Sequence, residues 1–92
     1  KDDAKMAYRE VHEWLREGII KKEVLSDVVC DDGNMTVFGY EDGIEIILGK
    51  EDYRGRLKRA LTVLGDAKKR GFLIKCIDAR VEKGAIIKER QG

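Results

Sequence analysis

Met35-Thr36-Val37-Phe38-Gly39-Tyr40-Glu41-Asp42-Gly43-Ile44-Glu45-Ile46-Ile47-Leu48-Gly49 decides the fold. In its first part Met35, Val37 and Gly39 alternate with Thr36, Phe38 and Tyr40, the period of two that puts successive side chains on opposite faces of a strand. Glu41-Asp42-Gly43 has the composition of a tight turn. Ile44, Ile46 and Leu48 then mark one face of a second strand, which Gly49 ends. Two short strands joined by a tight turn predict an antiparallel hairpin.

The flanks extend the pattern. Upstream, the Val-rich run from Val24 to Cys30 predicts another strand, joined to Met35 by the turn signal Asp31-Asp32-Gly33-Asn34. Before it, Ala4, Ala7, Tyr8, Val11 and Trp14 or Leu15 follow the i, i+3, i+4, i+7 spacing of one helical face. Asp2 or Asp3 is the candidate cap of that helix and Gly18 its stop. Downstream, Tyr53, Leu57, Ala60, Leu61, Leu64 and Ala67 form the stripe of a second helix, with Asp52 as candidate cap. Glu51 and Asp52 at its start and Lys68, Lys69 and Arg70 at its end suit the helix dipole. Gly71 ends it. A long strand over residues 72–81, a turn at Glu82-Lys83-Gly84 and a last strand over residues 85–88 complete the order α-β-β-β-α-β-β. Two helices are too few to cover both faces of a parallel sheet. The expected fold is therefore α+β, a mainly antiparallel β-sheet with both helices packed on one face and the other face partly wet. Sheet order is left open.

Ninety-two residues make one domain, which buries roughly 60–65% of its extended surface. Basic and acidic residues nearly balance, 19 against 18, so no strong field steers the chain onto nucleic acid. No apolar run is long enough to span a bilayer. The chain opens Lys1-Asp2-Asp3 without an initiator Met, and reads as a piece of a longer protein. Cys30 and Cys76 are not a C-x-x-C pair. They read as buried free thiols, with a single disulfide as the alternative outside the cytosol.

Few residues point to chemistry. His12, the single histidine, lies between Glu10 and Glu13 with no second ligand near it, and reads as a surface residue. No Ser or Cys sits in a nucleophile motif. Asp31-Asp32-Gly33-Asn34 lacks the alternating oxygen ligands and final Glu of a calcium loop, and reads as a hairpin turn. Gly49-Lys50 lacks the rest of a phosphate loop, and Glu51 and Asp52 would repel phosphate. Arg54, Arg56, Lys58 and Arg59 form a basic cluster without interleaved aromatics, read as a solvated face or a contact for an acidic partner. No cofactor, metal or catalytic residue is expected.

Gly43-Ile44-Glu45-Ile46-Ile47-Leu48-Gly49, a charged-apolar helix, then Ile77-Asp78-Ala79-Arg80 and a turn containing Gly84 resemble the C-terminal β domain of the FtsQ/DivIB cell-division family. The resemblance runs over nearly the whole chain. It implies a bitopic membrane protein of the bacterial divisome, with residues 1–92 as one extracytoplasmic (periplasmic) domain preceded by a POTRA domain and a membrane span. It implies a non-enzymatic scaffold in septum formation, with FtsB/DivIC-like and FtsL-like partners. Binding residues of that family lie on the D-x-R strand, after it and along the final strand. Matched here they are Arg80, Val81, Gly84, Ala85, Ile86 and Ile87. Arg80 would pair with a partner carboxylate, and Ile86 or Ile87 would give apolar contact. Val81 stands where many members carry an aromatic, and Ala79 where Leu is usual.

The end of the chain suits such a role on physical grounds. A short last strand after a tight turn can sit at a sheet edge and offer unpaired N–H and C=O groups to another strand. The competing reading of Asp78 and Arg80 is a local pair that steadies their strand, and that of Ile86 and Ile87 is that one belongs to the core. A second class of function, a small ligand-binding regulatory α+β domain, needs a pocket with converging polar groups, which the sequence does not suggest. An enzyme would need a placed acid, base or nucleophile.

Overall fold

The computed structural model of the chain describes residues 2–39 and 43–90. Tyr40 and the expected turn residues Glu41 and Asp42 lie outside them. Helix α1 spans Asp2–Arg16, followed by strands β1 (Leu25–Asp31), β2 (Asn34–Gly39) and β3 (Glu45–Gly49). Helix α2 (Tyr53–Lys69) leads to β4 (Ile74–Asp78) and β5 (Ile86–Glu89). The strands form one sheet in the order β1-β2-β3-β4-β5. β1–β2, β2–β3 and β4–β5 are antiparallel, and β3–β4 is parallel. That parallel joint follows from α2, because a helical crossover returns the chain in the same direction. The expected α+β class and element order are those observed.

Asp31 pairs with Asn34 across the first hairpin, and the two residues between them, Asp32 and Gly33, have φ of 52° and 81°. Positive φ at both central positions suits the twist of a two-residue hairpin loop. The Asp31-Asp32-Gly33-Asn34 letters are thus a turn. The register puts Met35 and Val37 of β2 and Ile46 and Leu48 of β3 on the helix side, where each is at most 3% exposed. Trp14 of α1, Leu57 and Ala60 of α2 and Ile77 of β4 join them in the core. The opposite face carries Val29, Thr36, Phe38, Glu45, Ile47, Cys76, Asp78 and Ile86, which cross-strand pairing sets in adjoining rows. Among the described residues this face bears no helix.

Several local expectations are corrected. The fourth strand is Ile74–Asp78 rather than the whole of residues 72–81: Ala79 still donates to Ile47 O at 2.9 Å, but the chain then turns away. Tyr8 is 80% exposed and not part of the core stripe. It lies with Ala4, Val11 and Leu15 along an open groove between α1 and β1 of about 820 Å³. Asp3 does not act as a free cap; its Oδ2 accepts the Asp32 N–H at 2.8 Å and ties α1 to the first turn. Asp52 occupies the N-cap position of α2 in the left-handed conformation, φ 49°, and makes no side-chain capping bond. Cys30 and Cys76 are free and stand on β1 and β4, three strand spacings apart, about 14 Å. A disulfide between them is ruled out by that span. Burial pushes both thiols up from their ordinary values, so neither is an activated nucleophile.

Candidate functional site

Among the described residues β5 is an edge strand, paired with β4 alone. Its backbone directions follow from its neighbours. Ala79 turns its N–H to β3, so Asp78 turns its own to β5, opposite Ile86; at the other end Arg90 N–H donates to Leu73 O at 2.7 Å. Alternate residues of a strand bond to alternate sides. Ile86, Lys88 and Arg90 therefore face β4, whereas Ile87 and Glu89 present their N–H and C=O groups to the open edge. The side chains obey the other alternation. Ile86 lies on the helix-free face beside Asp78, and Ile87 on the helix side opposite Ile77. They are 53% and 36% exposed, so neither is a core residue. Ala85 is half-buried against the core. Gly84 takes φ 69° with open space around it, the turn that reverses the chain into β5.

Arg80 stands one strand in from that edge, at the end of β3 and β4. Its Nε and Nη2 donate to Asp78 Oδ1 and Oδ2 at 2.9 and 2.7 Å, and its backbone N–H donates to the same Oδ1 at 3.0 Å. The Arg80 guanidinium holds the Asp78 carboxyl below the usual carboxylate range. The local pair is therefore formed. It uses one edge of the guanidinium and leaves Nη1 out of those bonds, on a side chain 55% exposed.

Gly49 makes this corner compact. Its φ is 78°, and a Cβ there would lie 2.8 Å from Arg56 Nη1 and 2.9 Å from Arg80 Cγ. Both the left-handed backbone and the close approach demand glycine. Gly49→Ala is expected to cost about 2–3 kcal/mol, read as a lower midpoint in urea unfolding at unchanged slope. Arg56 donates through Nη1 to Leu48 O at 2.7 Å and pairs with Glu51. Arg59 donates to Ala79 O, Val81 O and Glu82 O at 2.9, 2.7 and 2.8 Å. Arg54 pairs with Glu17, just past the end of α1. Of the basic cluster expected to be a solvated face, Arg56 and Arg59 thus hold the fold together, whereas Arg54 and Lys58 are exposed as expected. The overlooked signal was position: Arg56 and Arg59 flank the buried Leu57 and Ala60, so their stems start at the sheet.

The structure therefore brings Arg80, Val81, Gly84, Ala85, Ile86 and Ile87 into one continuous region: the end of β4, the following loop and the edge strand. His12 is exposed on α1, far from it in the fold order. Among the described residues, no three His, Cys, Asp or Glu side chains converge as metal ligands. No helix of the described residues is long and apolar enough to cross a membrane.

Such an architecture defines a class: a small α+β domain, two helices on one face of a mainly antiparallel sheet that is left open at its C-terminal strand. The family model "Cell division protein FtsQ/DivIB, C-terminal" matches residues 1–80, and the chain belongs to that family of divisome proteins. The family is one of membrane-anchored, non-enzymatic cell-division scaffolds. The matched stretch ends at Arg80, so the turn and β5 fall beyond it. No curated protein sequence matches the chain.

Proposed function

We propose that this domain is a divisome scaffold that captures an extended strand of an FtsB/DivIC-like partner, with an FtsL-like protein in the same assembly, on the free edge of β5. In this reading residues 1–92 are a single extracytoplasmic (periplasmic) domain of a longer bacterial protein with a POTRA domain and a membrane span, acting during septum formation and binding neither nucleic acid nor a small-molecule substrate. The observation that carries it is the free edge itself: backbone groups of Ile87 and Glu89 turned outward on a strand whose four residues are all exposed.

Backbone pairing alone is weak, because each bond contributes about 0.5–1.5 kcal/mol net. Side chains must add to it. Ile86 and Ile87 flank the added strand on its two faces, and Arg80 has donors left for a partner carboxylate, a charge-assisted contact stronger than a neutral one. Val81 supplies less area than an aromatic at that position would.

The test uses the chain and the extracytoplasmic segment of the FtsB/DivIC-type protein of the same cell. Arg80→Glu is expected to weaken capture about tenfold or more, about 1.4 kcal/mol. Its own pair with Asp78 is half exposed and contributes about 0–1 kcal/mol, so the melting temperature should fall by only a few degrees. Capture by Arg80→Glu at wild-type strength would remove Arg80 from the site.

A further inference from the structure

We infer that Arg59 is the positioning residue of the binding edge, a clamp on α2 that fixes the loop over residues 79–84 and through it the entry into β5. The inference rests on the strand-capture reading and names a residue that makes it work without touching the partner.

Between Ala79 N–H, the last bond of β4 to β3, and Ile86, the chain has no ladder. A loop of this length would sample many conformations, and β5 is only a short exposed strand that starts where the loop delivers it. The Arg59 guanidinium converges three of the loop's carbonyls, Ala79 O, Val81 O and Glu82 O, on one planar donor set at 2.7–2.9 Å. Its Nε is buried without a protein partner, so the head group is sunk into the corner rather than waving in water. Its own origin is rigid. The neighbouring Leu57 and Ala60 are fully buried under the sheet. The fork geometry is specific to arginine: an ammonium is a compact point charge and cannot reproduce the planar spread. The clamp thus connects the core, through one side chain, to the loop that carries Val81 and Gly84 and to the strand beyond. An edge held in one conformation captures a strand with less ordering cost, because apparent affinity falls in proportion to the fraction of molecules in the competent state.

The experiment compares wild type, Arg59→Met, Arg59→Lys and a control, Leu64→Ala, which trims a half-buried side chain elsewhere on α2. Amide exchange of the free chain and affinity for the same FtsB/DivIC-type segment are measured on each. Arg59→Met is expected to speed exchange over residues 80–89 about tenfold or more, with β1–β3 unchanged, and to weaken capture by a similar factor. Arg59→Lys, which keeps the charge, should recover little of either. Leu64→Ala should lower the melting temperature and leave capture unchanged while the chain is folded. Arg59→Met capture within about twofold of wild type, full rescue by Lys, or equal weakening by Leu64→Ala would overturn the inference. A wild-type chain that captures nothing would overturn the functional reading, while local loosening by Arg59→Met would still uphold the clamp. Unchanged exchange would overturn the clamp whatever the binding result.

Discussion

Ile87→Pro is expected to abolish strand capture and leave the domain folded. The choice of position follows from the backbone alternation. Ile86 N–H faces β4, so proline there would remove a bond of the sheet itself and confuse lost binding with lost structure. Ile87 N–H faces the open edge, and proline at an edge position with its missing donor toward solvent is tolerated. The residue before it, Ile86, is already extended, as the pyrrolidine ring requires of its predecessor. An incoming strand would then lose one donor, leave its own carbonyl unpaired at a cost of about 1–3 kcal/mol, and meet the ring where its backbone must sit. Together these should weaken capture about 100-fold or more, roughly 3 kcal/mol. The melting temperature should stay within about 5 °C of wild type. Titration calorimetry and a thermal melt read the two sides. If Ile87→Pro binds as wild type while Arg80→Glu does not, the partner docks on the sheet end or the helix-free face, and the edge is not its site.

Much of this architecture was legible in the chain because it rests on local rules. The hairpin over residues 35–49 could be read from alternation, and Asp32-Gly33 from turn chemistry. The stripe Leu57, Ala60 and Ala67 of α2 could be read from its spacing, and those three are its buried residues. The failures share a cause. The length of β4 depends on where β3 stops offering partners, a tertiary fact that the apolar run 72–81 does not contain. Tyr8 fits the helical stripe but α1 overhangs β1 at the sheet margin, so one side of its stripe meets a groove and not a core. Asp52 has the right residue type for a cap, yet its left-handed backbone turns the carboxylate over Gly55 instead. The grip of Arg59 on the loop after β4 is not legible in the sequence. Its partners are backbone carbonyls, which every residue carries, so no letter in the loop announces them.

Trp14→Ala is expected to cost the fold about 3–5 kcal/mol, read as a lower midpoint in urea unfolding. Trp14 is fully buried and the bulkiest side chain in the core. It sits two residues before the end of α1, and its carbonyl accepts the Ile19 N–H that closes the helix terminus. α1 meets the sheet chiefly along β1, so this indole is its principal anchor to Met35, Leu48 and Leu57 in the common core. Truncating a buried Trp to Ala costs about 3–5 kcal/mol, partly in lost transfer energy and partly in the cavity left behind. A domain of this length has about 5–10 kcal/mol in total, so from about a third to nearly all of its stability would go. Trp14→Phe should behave differently. The Trp14 Nε1 is buried without a hydrogen-bond partner, an unfavourable term that phenylalanine removes while keeping most of the ring volume. Its cost should be no more than about 1.5 kcal/mol, small beside that of alanine. Trp14 is the single tryptophan, so the unfolding of both variants must be followed by far-ultraviolet circular dichroism in urea rather than by fluorescence. A Phe variant as unstable as the Ala variant would mean that the indole N–H is satisfied after all and that the polar bond, not the volume, fixes α1 to the sheet.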